Sequence, residues 1–239
     1  MRAFASRNTK ETLRDPLNML FTLAFPIFLI LMMTFIQNKA PEAIFPIDRL
    51  STGMALFGLA FITLNTSLLI GQDRSSSFLS RLFSSPLGAS DFIWGYSLPQ
   101  LAIAVGQSIV CMGVSVLVGL PLSWNILWAL LTMLPSALMF VGFGMLFGSL
   151  LTDKQAGGIC SVFINLAAFT SGLWIPLDLV GGVFGDICNL LPFAHAFEMA
   201  KGVLAGDFGA IFPHIWWVLG YTVAAMVSAI LVFRRKMRG

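Results

Sequence analysis

The placement of charge decides what this chain can fold into. Its 239 residues include only 14 Lys and Arg and 11 Asp and Glu. These cluster so as to leave five uncharged runs: 16–38, 50–72, 92–152, 155–177 and 208–233. About 20 helical residues cross the roughly 30 Å of hydrocarbon in a bilayer, so four of the runs hold one span each. The run 92–152 holds two, divided by the turn-forming stretch Gly119-Leu120-Pro121-Leu122-Ser123-Trp124-Asn125. The expected spans are 17–36, 51–71, 93–118, 126–150, 157–176 and 212–233. No segment alternates polar and apolar residues with period two, which disfavours a membrane barrel. The composition agrees. At 57% hydrophobic residues and a mean hydropathy of +0.88, the chain carries more apolar surface than a globule of this size can bury. That excludes a soluble enzyme, a disordered tail and a nucleic-acid binder. Three cysteines do not make a disulfide scaffold.

Lys and Arg set the orientation. With six spans both termini share a side. That side holds Arg2, Arg7, Lys10, Arg14, Arg74, Arg81, Lys154, Arg234, Arg235, Lys236 and Arg238, against Lys39, Arg49 and Lys201 on the other. Both termini are therefore expected in the cytoplasm, and the net charge of +3 is the sum of a basic inner face and an acidic outer one. The first apolar segment exceeds a signal-peptide core and has no small-x-small site after it, so it reads as a retained span. The expectation is an all-α polytopic membrane protein, one domain over 1–239, with short helices between its spans.

Four segments outside the spans carry information. Arg7, Lys10 and Arg14 share one helical face in a stretch over 5–15, with Arg7 and Glu11 spaced to pair. This is either an interfacial helix on the anionic inner leaflet or a plain basic flank. In the loop 72–91, Phe78, Leu79, Leu82 and Phe83 form an apolar stripe, with Arg74 and Arg81 on another side and Pro86 closing it. Such a stripe seats on the membrane surface or in a groove of a soluble partner. The outer segment 177–207 is apolar but broken by Gly181, Gly182 and Gly185. Pro192 and Gly206 bracket a second helical piece, so two short helices dipping into the outer leaflet are expected, as a gate or as a packed lid. The basic tail after Phe233 reads as a stop-transfer anchor.

Expected chemistry is sparse. None of the five lysines follows a glycine, so no Walker A motif exists, and neither His-Glu-x-x-His nor Cys-x-x-Cys occurs. His195 and His214 read as interfacial residues rather than ligands, and no metal site is expected. No span core holds an ionised side chain, unlike most proton- or ion-coupled carriers. Thr63, Asn65, Thr66, Asn165 and Thr170 either line a weakly polar path or join helices at about 1 kcal/mol each. Gly144 and Gly148 form a GxxxG, which reads as close helix packing.

Three stretches resemble the membrane-spanning permease subunits of type-2 ATP-binding cassette (ABC) exporters. They are Leu13-Arg14-Asp15-Pro16-Leu17 before a span with Pro26, the loop from Asp73-Arg74 through Ser85-Pro86-Leu87 to Tyr96, and Ser171-Gly172-Leu173-Trp174-Ile175-Pro176 followed by Leu191-Pro192-Phe193-Ala194-His195. The resemblance implies that the loop after the second span is a coupling helix seated on a separate ABC ATPase, through Asp73, Arg74, Phe78, Leu79, Arg81, Leu82, Phe83 and Pro86. Where many members carry a Glu and a Gly early in that loop, Ser75 and Ser77 stand here. The N-terminal helix with Arg7, Lys10, Glu11 and Arg14 would also touch the ATPase. Trp174, Pro176, Pro192, Phe193 and His195 would build an outer gate. The implied protein is not itself an enzyme. It exports an amphipathic drug, antibiotic, peptide or lipid-like molecule from a bacterial inner (cytoplasmic) membrane. Its partners would be two ATPase copies holding ATP and Mg, and a second permease, the same chain or a relative. An ATP-independent carrier or lipid scramblase, a polysaccharide permease and a conduit-free interaction subunit stand as alternatives.

Overall fold

A computed structural model describes residues 2–39, 45–76 and 89–238. These residues form helices joined by short turns, with no strand among them. In chain order the helices are α1 (Arg2–Arg14), α2 (Pro16–Gln37), α3 (Ile47–Ser75), α4 (Ala89–Leu117), α5 (Asn125–Leu150), α6 (Asp153–Thr170), α7 (Leu177–Val180), α8 (Gly182–Leu190), α9 (Pro192–Leu204) and α10 (Ile211–Arg238). Five segments are long and apolar enough to cross a membrane: Pro16–Gln37, Ile47–Ser75, Phe92–Leu117, Asn125–Leu150 and Phe208–Phe233.

The fifth expected span, 157–176, is the exception. α6 has 18 residues and stops at Thr170, short of the expected 176. Local chemistry ends it. Gly172 takes a positive φ of 84°, which only glycine adopts at low cost. The Ser171 hydroxyl accepts from the Leu173 amide at 3.2 Å, and Arg49 donates to the carbonyls of Gly172 and Leu173. At its other end Thr152 and Gln155 form a capping box.

The remaining boundaries are similarly local. Asp15 caps α2, accepting from the Leu17 and Asn18 amides at 3.0 and 3.2 Å, with Pro16 in the first helical position. The π-turn Leu20–Ala24 stands just before Pro26, whose ring nitrogen cannot donate to the preceding turn. The expected turn at 119–125 is present between α4 and α5, with Gly119 at φ 121°.

α3 is the axis of the bundle. It touches α2, α4, α5, α6 and α9, and 83% of its most apolar window is buried, against 22% for the first and last spans. The outer spans turn Phe28, Phe35, Phe212 and Trp216 outward, as a hydrocarbon solvent permits. Gly144 and Gly148 let α5 lie directly on α3. A β-carbon at Gly148 would sit 2.8 Å from Ile70 Cβ, and one at Gly144 would sit 2.8 Å from the Thr63 carbonyl. The segment 177–207, expected on the outer side, holds three helical pieces, α7 to α9, where two were expected. α9 is largely buried, with Phe193, Phe197, Met199 and Val203 turned into the core.

Candidate functional site

The end of the bundle where α3 finishes holds a polar cluster that joins α1, α3 and α4. Asp73, in the last turn of α3, is only 1% exposed. Its carboxylate accepts two hydrogen bonds from the Arg7 guanidinium, at 2.8 and 2.6 Å, and one from the Tyr96 hydroxyl at 2.5 Å. The fork of Arg against a carboxylate is the strongest of the ordinary side-chain pairings. The bond to Asp73 holds the Arg7 guanidinium above its ordinary range, although burial pulls the other way. Arg7 also reaches Glu11 at 2.7 Å, the expected i, i+4 pair. Partial burial lifts Glu11 above the usual carboxylate range despite the pull of Arg7, so this more exposed pair is the minor one.

Around this centre α1 is fastened to α4. The Asn8 amide donates to the Gly95 carbonyl at 3.0 Å, and Gln100 donates to the Thr12 hydroxyl at 3.0 Å. The Phe4 ring packs edge-on against Tyr96 and covers Gly95, leaving no room for a side chain there. α1 is thus docked on the bundle through Phe4, Asn8 and Thr12. Leu13 and Leu17 remain outside. Lys10 and Arg14 line an open groove beside this face with Arg7, Glu11 and Gln72. Asn8 with Thr12, and Tyr96 with Gln100, stand four apart on their helices. That shared spacing is the signal by which the sequence could have shown this interface, and the basic face of α1 masked it.

Two arginines fasten the ends of α3. Arg74 donates to the carbonyls of Ser149 and Leu151 at the end of α5. Arg49 does the same for the turn after α6 and stands over the Phe197 ring at 5.9 Å. Each places a cation where helix carbonyls lack partners. Asp73 and Arg74 therefore spend their polar groups within the bundle. Phe78, Leu79, Arg81, Leu82, Phe83 and Pro86 lie outside the described residues.

The polar residues expected along a path are not gathered in one place. Thr63 donates to the Phe140 carbonyl at 3.0 Å and Asn65 to the Thr22 hydroxyl at 2.7 Å, both buried between helices. Thr66 and Thr170 bond back within their own helices. Asn165 does so as well, but on an exposed face of α6 shared with Ser161, Val162 and Phe169.

Of the residues expected at the outer gate, Trp174 and Pro176 precede α7, and Pro192, Phe193 and His195 lie in the first turn of α9. Pro192 opens α9, and Phe193 enters an aromatic cluster with Phe140, Phe143 and Phe163. Pro176 precedes α7, and Trp174 packs on the core. His195 lies at the junction of α8, α9 and α10, facing His214 and donating to or accepting from its neighbours through both ring nitrogens.

Residues 1–204 match the family model described as ABC-2 type transporter. The chain is 26% identical over 176 residues to "Probable multidrug ABC transporter permease YbhR" of Escherichia coli (strain K12), covering 72% of this chain and 48% of that protein. It is 25% identical over 209 residues to "Putative transport permease YvfS" of Bacillus subtilis (strain 168), covering 81% and 82%. It is 24% identical over 201 residues to "ABC transporter G family member 20" of Dictyostelium discoideum, covering 80% and 27%. The chain spans about half the length of the first of these relatives. Helices able to cross a membrane, the matched family model and relatives named as permeases agree: the chain belongs to the ABC-2 type transporter family, as a membrane-spanning permease.

Proposed function

We propose that this chain is the permease of an ATP-driven exporter, powered through the loop that follows α3. The observation that carries the reading is the fixed point at Asp73. A helix end held by Arg7, Tyr96 and Arg74 is a rigid stalk for the loop that begins a few residues later. A push on residues 77–88 is then passed to α1, α4 and α5 together. The loop's apolar stripe, Phe78, Leu79, Leu82 and Phe83, fits the groove of a separate ABC ATPase. Two such ATPases supply the energy, with ATP and Mg held on their chains.

In this reading α6 crosses the membrane as one of six spans, both termini lie in the cytoplasm, and α7–α9 dip into the outer leaflet as a gate. The face of α6 with Ser161, Val162, Asn165 and Phe169 is turned toward a second permease, the same chain or a relative, and one wall of the conduit forms between them. That face is apolar with a few neutral polar groups, and it suits an amphipathic substrate. The relative named as a multidrug permease supports that class. The membrane is the inner membrane of a bacterial cell.

Liposome reconstitution tests the proposal. Export of an amphipathic dye that requires both the partner ATPase and ATP is the expected result. Equal transport by this chain alone, without nucleotide, overturns it in favour of an ATP-independent carrier or scramblase.

A further inference from the structure

α4 and α5 pack side by side, and a hollow is left between them. Two short side chains, Ala104 on α4 and Ala137 on α5, line its floor with Met133, all at most 2% exposed. Ile109, Leu127 and Leu131 stand at its mouth, between 45% and 52% exposed. The hollow measures about 160 Å³, the size of an aliphatic cavity that stays dry and takes a benzene-sized guest. Ser108 is the one polar side chain among its lining residues, and its hydroxyl donates to the Ala104 carbonyl at 2.9 Å. No side chain of the lining carries a charge or a free donor. Trp124 and Trp128, 81% and 51% exposed, stand at the start of α5, where indole rings mark the water interface of a membrane protein. Along α5 the lining runs from Leu127 to Ala137, about 15 Å of helical rise. That is about half of the roughly 30 Å of hydrocarbon, the depth of one leaflet.

We propose that this hollow binds one acyl chain of a phospholipid, drawn from the leaflet on the side of the 119–125 turn. The lining selects the class. A water-filled site needs polar partners, and an amphipathic ligand needs a place for its polar end, whereas this surface offers only hydrocarbon. The mouth opens on the exposed apolar surface of two membrane spans, so the occupant comes from the bilayer itself. The depth matches as well. A phospholipid headgroup stays at the level of Trp124 and Trp128, and its chain descends over Leu127 toward Ala137.

Packing supplies the affinity. An empty hollow forfeits dispersion contacts along its lining, and a chain segment of about six carbons restores them. Lipid tails are as apolar as leucine, so a smooth helix face gains little from any one of them. The face of α10 with Phe212, Trp216 and Val223, all exposed, is of that smoother kind and exchanges its lipids freely. The chain in the hollow is held instead, and it completes the contact between α4 and α5. The inference needs only that these two helices cross a membrane. It stands whether or not an ATPase drives export.

The test uses the full chain in liposomes of phosphatidylcholine with a photoactivatable diazirine midway along one acyl chain. After irradiation, adducts are mapped by peptide mass spectrometry. They should concentrate on residues 104–109 and 127–137, well above the level on the α10 face with Phe212, Trp216 and Val223. Ala137→Leu fills the hollow from α5 and Ala104→Leu fills it from α4. Each should cut the adducts on α4 and α5 about tenfold while those on α10 stay the same, with helix content by circular dichroism as in the parent. If neither filled chain folds, the contrast between the α4–α5 cleft and α10 in the parent decides alone. Even labelling of the two surfaces overturns the proposal, as does labelling of the cleft that both filled chains retain. Displacement of the adducts by an amphipathic dye would make the hollow a substrate site, and cross-links from its mouth to a second copy would make it an interface. Either result also overturns it.

Discussion

Replacing Arg7 with alanine probes the cluster around Asp73 most sharply. Asp73 is almost wholly enclosed and, among the described residues, has two side-chain donors, Arg7 and Tyr96. Removing Arg7 leaves a buried carboxylate with one hydroxyl. Breaking a buried ion pair from one side costs about 3–5 kcal/mol. The Arg7 side chain is 35% exposed, so water reaches the vacated space and the cost falls at the lower end, about 3 kcal/mol. At roughly 2–4 °C per kcal/mol for a chain of this length, Tm should drop by about 6–12 °C. The assay is thermal unfolding in detergent, followed by circular dichroism, with Lys10→Ala on the exposed side of α1 as the control. Asp73→Asn removes the charge that Arg7 answers, so adding Arg7→Ala to it should cost much less than Arg7→Ala alone. A coupling of at least about 2 kcal/mol in that double-mutant cycle is expected. An Arg7→Ala chain that melts with the Lys10→Ala chain would refute the cluster as a fastening of α1.

Four other outcomes are expected. Gly148→Val should destabilise the chain by about 3 kcal/mol or more, because its side chain meets Ile70 and the Ser67 carbonyl, whereas Gly106→Ala, with open space around it, should be neutral or slightly stabilising on the same melting curves. Burial holds His195 below its ordinary 6.5, so the native state resists protonation more than the unfolded chain does. Its contribution to stability is full above about pH 6.5 and falls as pH drops below that value, because the unfolded chain takes up the proton first. Tm measured between about pH 8 and pH 5 should therefore fall more for the parent than for His195→Gln, with His214, Glu198 and Lys201 as the neighbouring titratable groups. Leu82→Asp places a charge in the apolar stripe and should abolish ATP-driven export in liposomes while membrane insertion, measured by carbonate extraction, is unchanged.

The spans were legible because a bilayer imposes a one-dimensional rule: a charge-free run of sufficient length must cross or be buried. That rule reaches α2, α3, α4, α5 and α10 with boundaries a few residues from those observed. At α6 the bounds shift instead, from 157–176 to Asp153–Thr170, because Asp153 and Lys154 lie within the helix and Arg49, distant in sequence, holds the Gly172 turn that ends it. Pairing across the bundle was not legible. Asp73 and Arg74 stand beside a loop and read as loop charges, yet they face inward because α1 and α5 supply their partners. The same holds for Thr63 and Asn65. Composition shows that they are polar and inside, and only the packing of α2 and α5 on α3 shows that their bonds go to Thr22 and Phe140. The glycines of the GxxxG carried more, since their meaning is a close approach and α3 provides it.

The central claim is that this permease is driven by a separate ATPase engaged through residues 72–91. Its most direct test is affinity purification of the chain from the native membrane in mild detergent, with quantification of co-purifying ATP-binding subunits by mass spectrometry. The account predicts one ABC ATPase per permease chain, lost when the bait carries Leu82→Asp. An intact bait that emerges from the membrane with no nucleotide-binding partner, or an ATPase retained equally by the Leu82→Asp chain, would contradict it.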